Sequence, residues 1–194
     1  SAYKKRGYKE GKNNDGKYYF EDKLDDDGIN PENKITIRLT ITVEGENLIY
    51  DFDGTDAQVA SSMNNPIGST RSAVVTAVRS MMGSDVPRNG GAWRPVTLKV
   101  PLGSLLNPKF PSPVASRGGT AQRLSDVLLG CQCQIRPDRM LACSSGVDTL
   151  LNIAGKDDKG DDFILTECCW GGWGGRQTSD GIEFITPPSH NNSN

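Results

Sequence analysis

Side chains that move protons near neutral pH are scarce in this sequence. Its 194 residues include one histidine, His190, set in a polar tail after Pro187-Pro188. A lone imidazole there is poorly placed for a nucleophile–histidine–carboxylate triad. No Gly-x-Ser-x-Gly, no Gly-x-x-x-x-Gly-Lys-Ser/Thr and no strand-linked Gly-x-Gly-x-x-Gly occurs, which speaks against a serine hydrolase, a phosphate loop or a dinucleotide site. No apolar run approaches the roughly 20 residues that span a bilayer. Charge of one sign is missing too: 22 Lys and Arg stand against 24 Asp and Glu, a net charge of −2. Neither nucleic acid nor an anionic membrane would find a basic field to hold it. No stretch reads as a signal peptide, so the expected location is cytoplasmic.

Cysteines are few and oddly placed, at 131, 133, 143, 168 and 169. An odd count with Cys-x-Cys and Cys-Cys spacing fits neither a disulfide framework nor a zinc site built on Cys-x-x-Cys. They are expected to be buried small hydrophobes in a reducing cytosol. What the sequence does have is turn chemistry, with 22 Gly and 11 Pro, and only 35% hydrophobic residues. The length suits one domain with a thin core and many loops. The expected fold is mixed α+β and strand-rich, with a β-hairpin and two helices; residues 1–33 form a polar lead-in and 34–194 the body.

Within that lead-in, Lys4-Lys5-Arg6 reads as a solvated loop, and Asp22 with Asp25, Asp26 and Asp27 as an acidic turn lacking the spacing of a calcium loop. The clearest element follows. Ile35, Ile37, Leu39, Ile41 and Val43 alternate with polar residues, a turn comes at 44–47, and Leu48-Ile49-Tyr50-Asp51-Phe52 returns as a hairpin. It ends in Asp51-Phe52-Asp53-Gly54-Thr55, whose carboxylates and hydroxyl suggest a polar site at the strand end, although turn chemistry explains them equally well. Beyond the loop carrying Asn64, Ala73, Val74, Ala77, Val78, Met81 and Met82 form a helical stripe, capped by Ser69 or Thr70 and ended by Gly83. A dense loop with Arg88 and Asn89 leads to a strand at 96–100. A second helix is expected to be capped by Thr120, with Leu124, Val127, Leu128 and Cys131 inward. Just before it, Arg117-Gly118-Gly119 would suit an anion close to the backbone; the alternative is a surface Arg paired to a carboxylate such as Asp126. A polar turn at 156–160 precedes a strand at 162–170. The run Trp170-Gly171-Gly172-Trp173-Gly174-Gly175 is either a flat backbone wall between aromatic faces or a tight crossing of two chain segments.

In order along the chain, Asp51-Phe52-Asp53-Gly54-Thr55, Val86-Pro87-Arg88-Asn89-Gly90-Gly91, Arg94-Pro95-Val96, Pro101-Leu102-Gly103-Ser104-Leu105-Leu106-Asn107-Pro108, Ala115-Ser116-Arg117, Arg136-Pro137-Asp138-Arg139, Gly171-Gly172-Trp173-Gly174 and Asp180-Gly181 resemble the hydantoinase B/oxoprolinase family. The resemblance runs over roughly residues 15–190 and matches the central part of longer subunits. It implies the substrate-site half of an ATP-dependent enzyme that opens hydantoin, 5-oxoproline or lactam rings. ATP with Mg would enter through a hydantoinase A-like partner subunit in a hetero-oligomer, and a further divalent metal has no ligand set placed here. The alternatives are a subunit of an acetone- or acetophenone-type ketone carboxylase and a non-catalytic scaffold. Motif membership and chemistry together nominate Asp51, Asp53, Thr55, Asn89 and Arg117 as catalytic. They nominate Asn64, Arg88, Gly118, Gly119, Gly172, Trp173 and Asp180 as substrate-binding. Asp53 departs from the family, which more often has Ser there.

Overall fold

A computed structural model describes residues 15–82, 86–87, 89–146, 149–169 and 171–183. Lys4-Lys5-Arg6, Gly83, Arg88, Trp170 and His190 lie outside the described residues. The fold is mixed α+β. Strands β1 (Gly16–Leu24), β2 (Ile35–Glu44), β3 (Asn47–Asp51) and β4 (Val96–Lys99) form one sheet in that order. The first three run antiparallel, whereas β4 joins β3 in parallel, Leu48 opposite Val96. Helix α1 is Ile67–Met81 and α2 is Arg117–Cys133. A second, two-stranded sheet pairs β5 (Thr149–Lys156) with β6 (Asp162–Cys169).

The β2–β3 hairpin forms as its alternation dictates. Ile35, Ile37, Leu39 and Ile41 point into the core, and Glu44 pairs with Asn47 across a two-residue turn in which Gly45 takes φ +58°. Such a φ costs glycine nothing and a side chain roughly 1 kcal/mol. The stretch 16–24, read from composition as part of a turn-rich lead-in, is instead an edge strand. Its inward residues Tyr18, Phe20, Asp22 and Leu24 alternate with exposed Lys17, Tyr19, Glu21 and Lys23.

Helix α2 packs on β1 and β2, and α1 packs on α2. Its expected inward residues Leu124, Val127, Leu128 and Cys131 are all fully buried. Polar residues are buried along α2 as well, and each side chain finds a bond: the Gln132 amide donates to Tyr50 Oη at 2.8 Å and Ser125 Oγ to the Ala121 carbonyl at 2.9 Å. Neither helix is capped as expected. Thr70 and Thr120 sit inside the first turns, wholly buried, and their hydroxyls donate to the carbonyls of Leu106 (2.7 Å) and Met63 (2.6 Å). They tie the helices to loops rather than closing them. The N-cap positions are Pro66 and Ser116, and neither makes a side-chain cap bond.

The thiols also depart from expectation. Cys131 is buried and its thiol is pushed up to about 12 by burial, but Cys133 and Cys143 are exposed. The β5–β6 ribbon has a polar turn at 157–161 as expected, yet the strand at 149–156 carries no clean alternation and every side chain described in the ribbon is exposed. Among the described residues no helix is long and apolar enough to cross a membrane.

Candidate functional site

The loop at 59–64, the segment before α2 and the first turns of both helices meet around an open cavity of about 750 Å³. Asn64 organises its wall. Fully buried, its Oδ1 accepts the Val59 N–H at 2.8 Å, and its Nδ2 donates to the carbonyls of Val59 (2.8 Å), Ser61 (3.0 Å) and Pro113 (3.0 Å). Thr120 adds the bond to Met63, and Ser116 N–H donates to the Ser62 carbonyl at 2.9 Å. The two sides of the cavity are thus stitched together from beneath.

The lining has two characters. Ser61, Ser62, Ser69, Ser72 and Ser116 present hydroxyls, together with Arg117, Gly118 and Gly119 at the start of α2. Met63, Ala73, Ala115, Ala121 and Leu150 supply the apolar part. Among the described residues no carboxylate lines the cavity. Asp26 and Asp27 come nearest in sequence, beside the lining residue Gly28, but their oxygens are spent on backbone N–H groups of Gly28, Ile29 and Asn30. Those bonds, with one from the Asn33 amide, hold the Asp27 carboxyl below its ordinary value. Arg117 is exposed and makes no ion pair among the described residues. The alternative partner Asp126 is elsewhere. It is fully buried, accepts the Ser144 N–H and Oγ–H at 3.0 and 3.1 Å, and lies 3.8 Å from Arg123. Burial raises its carboxyl pKa against the pull of those bonds. A Cβ at Gly119 would meet nothing within 4 Å, so the helix start is open to a ligand.

Arg117, Gly118 and Gly119 are therefore brought together, with Asn64 directly behind the wall. The remaining candidates lie elsewhere. The Asp51 carboxylate accepts the Asp53 N–H at 3.1 Å and lies 3.9 Å from Lys99 Nζ, while Asp53 is exposed in the turn. Thr55 is buried and bridges Arg38, donating to its carbonyl and accepting its N–H, both at 3.1 Å. Asn89 accepts the Gly91 N–H at 3.0 Å and caps a short 3₁₀ helix at Gly90–Trp93. Gly172 and Trp173 belong to a tight crossing: the Gly172 carbonyl accepts Ser145 N–H, and Trp173 N–H donates to the Ile182 carbonyl. A Cβ at Gly174 would stand 2.5 Å from that of Ala142, which makes glycine obligatory there. The Trp173 ring packs on Met81, Leu129 and Met140, and Asp180 is exposed. Of the cavity's serines, the sequence marks Ser69 only as a cap and Ser116 only as a motif member, and none as a site residue. They come from three separate segments, and no spacing announces them.

A model of the family described as hydantoinase B/oxoprolinase matches residues 9–194. The chain belongs to that family. It is 40% identical over 116 residues to the 5-oxoprolinase of Saccharomyces cerevisiae, covering 58% of this chain and 8% of that protein. It is 30% identical over 182 residues to a Pseudomonas protein named for the B-type subunit of a D-/L-hydantoinase, covering 88% of this chain and 30% of that one. The chain thus spans under a third of the length of these relatives. Among solved structures, the ATP-dependent caprolactamase of Pseudomonas jessenii matches with a TM-score of 0.76 at 22% identity, over 90% of this chain and 31% of that one. Nucleotide-free acetone carboxylase matches with 0.72 at 14% identity, over 90% and 26%. At those identities the two structures share the fold.

Proposed function

We propose that this chain forms part of the substrate site of an ATP-dependent cyclic-amide hydrolase, opening a hydantoin, 5-oxoproline or lactam ring together with a hydantoinase A-like ATP-binding subunit. The observation that carries the reading is the cavity itself, a hydroxyl-lined pocket with no carboxylate among the described residues, at the uncapped start of α2 in a chain of this family. Ring opening adds water across the amide: the C–N bond breaks, the carbon gains an oxygen and the nitrogen leaves with a proton. Negative charge grows on the carbonyl oxygen as water attacks. Gly118 and Gly119 line the cavity in the first turn, where helix amides lack internal partners, and so offer N–H donors for such an oxygen. Asn64 holds the wall that positions them.

ATP with Mg does not fit the residues described here. Among them no three His, Cys, Asp or Glu side chains gather to hold a metal ion, and the sequence has no phosphate loop. We assign the nucleotide to the partner subunit, and the free thiols at 131, 133 and 143 fit a cytoplasmic enzyme. The test is reconstitution with that partner and measurement of substrate-dependent ATP hydrolysis and ring opening. Ser72→Trp, which fills the cavity from α1, should lower ring opening at least about tenfold. Unchanged turnover in that variant would sink the assignment of the cavity, and bicarbonate-dependent carboxylation of a ketone without ring opening would replace the hydrolase by a carboxylase.

A further inference from the structure

The β5–β6 ribbon has two unlike faces. On one, polar side chains satisfy each other: Thr166 Oγ1 donates to Asn152 Oδ1 at 2.8 Å, and Lys156 pairs with Asp162 at 2.8 Å. Leu150 belongs to that face and lines the cavity. On the other, the register sets Ile153 beside Leu165 and Gly155 beside Phe163, with Leu151 next along β5. Leu151, Ile153, Phe163 and Leu165 stand 41–49% exposed there, and Glu167, opposite Leu151, marks the end of the patch. Two strands with an uncovered apolar face are marginal in water, and sheets bury such a face against a second one about 10 Å away. We propose that this face joins two copies of the chain, ribbon stacked on ribbon, across a two-fold axis at the Ile153–Leu165 pair. The axis runs across the strands, so the ribbons lie antiparallel and the two bodies sit at opposite ends. Side chains alternate along a strand, so the face points away from the cavity and both cavities stay open. The patch matches itself when turned about that axis. Ile153 meets its own counterpart, and Leu151 meets the Phe163 ring, which leans over Gly155 where an added Cβ would stand 3.2 Å from it. The two Glu167 carboxylates fall at opposite ends and do not oppose each other. Four half-exposed side chains of this size present about 80 Å² each. With the flanking backbone, two stacked faces bury about 1,000 Å², the lower limit of a specific interface and enough for a concentration-dependent dimer.

Sedimentation equilibrium of the full chain tests this over a range of about 5 to 500 µM. Wild type should pass from monomer to dimer with a dissociation constant on the order of 100 µM. Ile153→Lys on β5 and Leu165→Lys on β6 should each weaken association at least about tenfold, because both strands face the second copy and the ammonium would be buried without a partner. Ile164→Lys, at a position 78% exposed on the reverse face, should leave association unchanged. An equal mixture of Ile153→Lys and Ile153→Glu chains should regain dimers that neither forms alone, since the axis sets position 153 against itself. That last readout is a gain of association, which a misfolded variant cannot supply. A wild-type chain that stays monomeric throughout the range overturns the proposal. So does a Leu165→Lys variant that associates like wild type, which would mean pairing through the β5 edge alone. An Ile164→Lys variant that dissociates like Ile153→Lys, or a mixture that stays monomeric, overturns it as well. Ring opening enters none of these measurements, so the hydrolase reading stands or falls separately.

Discussion

Replacing Asn64 by alanine isolates what holds the cavity open. The amide is fully buried and its four contacts of 2.8 to 3.0 Å reach Val59, Ser61 and Pro113. In Asn64→Ala the Val59 N–H and the Pro113 carbonyl lose the side chain that joins loop 59–64 to the segment before α2. Each buried polar group left unpaired costs about 1–3 kcal/mol, and water entering from the cavity offsets part of this, so the variant should lose about 2–4 kcal/mol. Asn64→Asp is the sharper probe. It keeps the acceptor for Val59 but turns the donor into an oxygen facing three carbonyls. At neutral pH it should be at least as unstable as Asn64→Ala, and it should recover in acid as the protonated carboxyl regains one donor. Urea unfolding with a fixed m-value reads both. A loss under about 0.5 kcal/mol in Asn64→Ala, with weakened ligand binding instead, would show that the amide faces substrate and that the wall is held by something else.

Gly130 on α2 lies against the Phe20 ring, where an added Cβ would stand 2.7 Å from Cζ; Gly130→Ala should cost about 1–3 kcal/mol, and Phe20→Ala in the same chain should make the pair clearly non-additive in a thermal melt. Burial raises the Asp126 carboxyl above its unfolded value, so the folded protein keeps a proton that the unfolded chain has already released. Its contribution is present in acid and is lost as pH rises through that window, and wild type should weaken relative to Asp126→Asn from about pH 4 upward; a difference that stays flat would contradict this. Thiol labelling read by mass spectrometry should modify Cys133 and Cys143 in the folded protein and Cys131 only after unfolding. Cys143 should be the slower of the two, because desolvation, with Asp126 and Asp22, pushes its thiol up.

How far the sequence disclosed this molecule depended on whether a signal was periodic or pairwise. The isoleucine alternation of β2 and the stripes of α1 and α2 are periodic, and each element formed where the pattern placed it. β1 was hidden because its outer face is charged and Asp22 interrupts the inner one, so composition outweighed alternation. Thr70 and Thr120 show the limit of cap chemistry: a hydroxyl near a helix start satisfies a distant carbonyl as readily as a nearby N–H. In the cavity lining, Arg117-Gly118-Gly119 was legible as a group because the three residues are consecutive. The five serines around them come together only through the parallel return of β4 and the stacking of α1 on α2, contacts that no local pattern encodes.

The β5–β6 ribbon bears on how this chain melts. Two strands alone are marginal in water, and Leu150, Leu151, Ile153, Phe163, Ile164 and Leu165 remain 41–78% exposed on it. Little apolar burial therefore couples the ribbon to the body, and its amides should exchange with solvent well before those of β2 or α2. Its open edges also invite pairing with a second ribbon as concentration rises. The ribbon should then melt ahead of the body, as a separate early transition, while the body that carries Asn64 and Gly130 keeps one cooperative transition of its own.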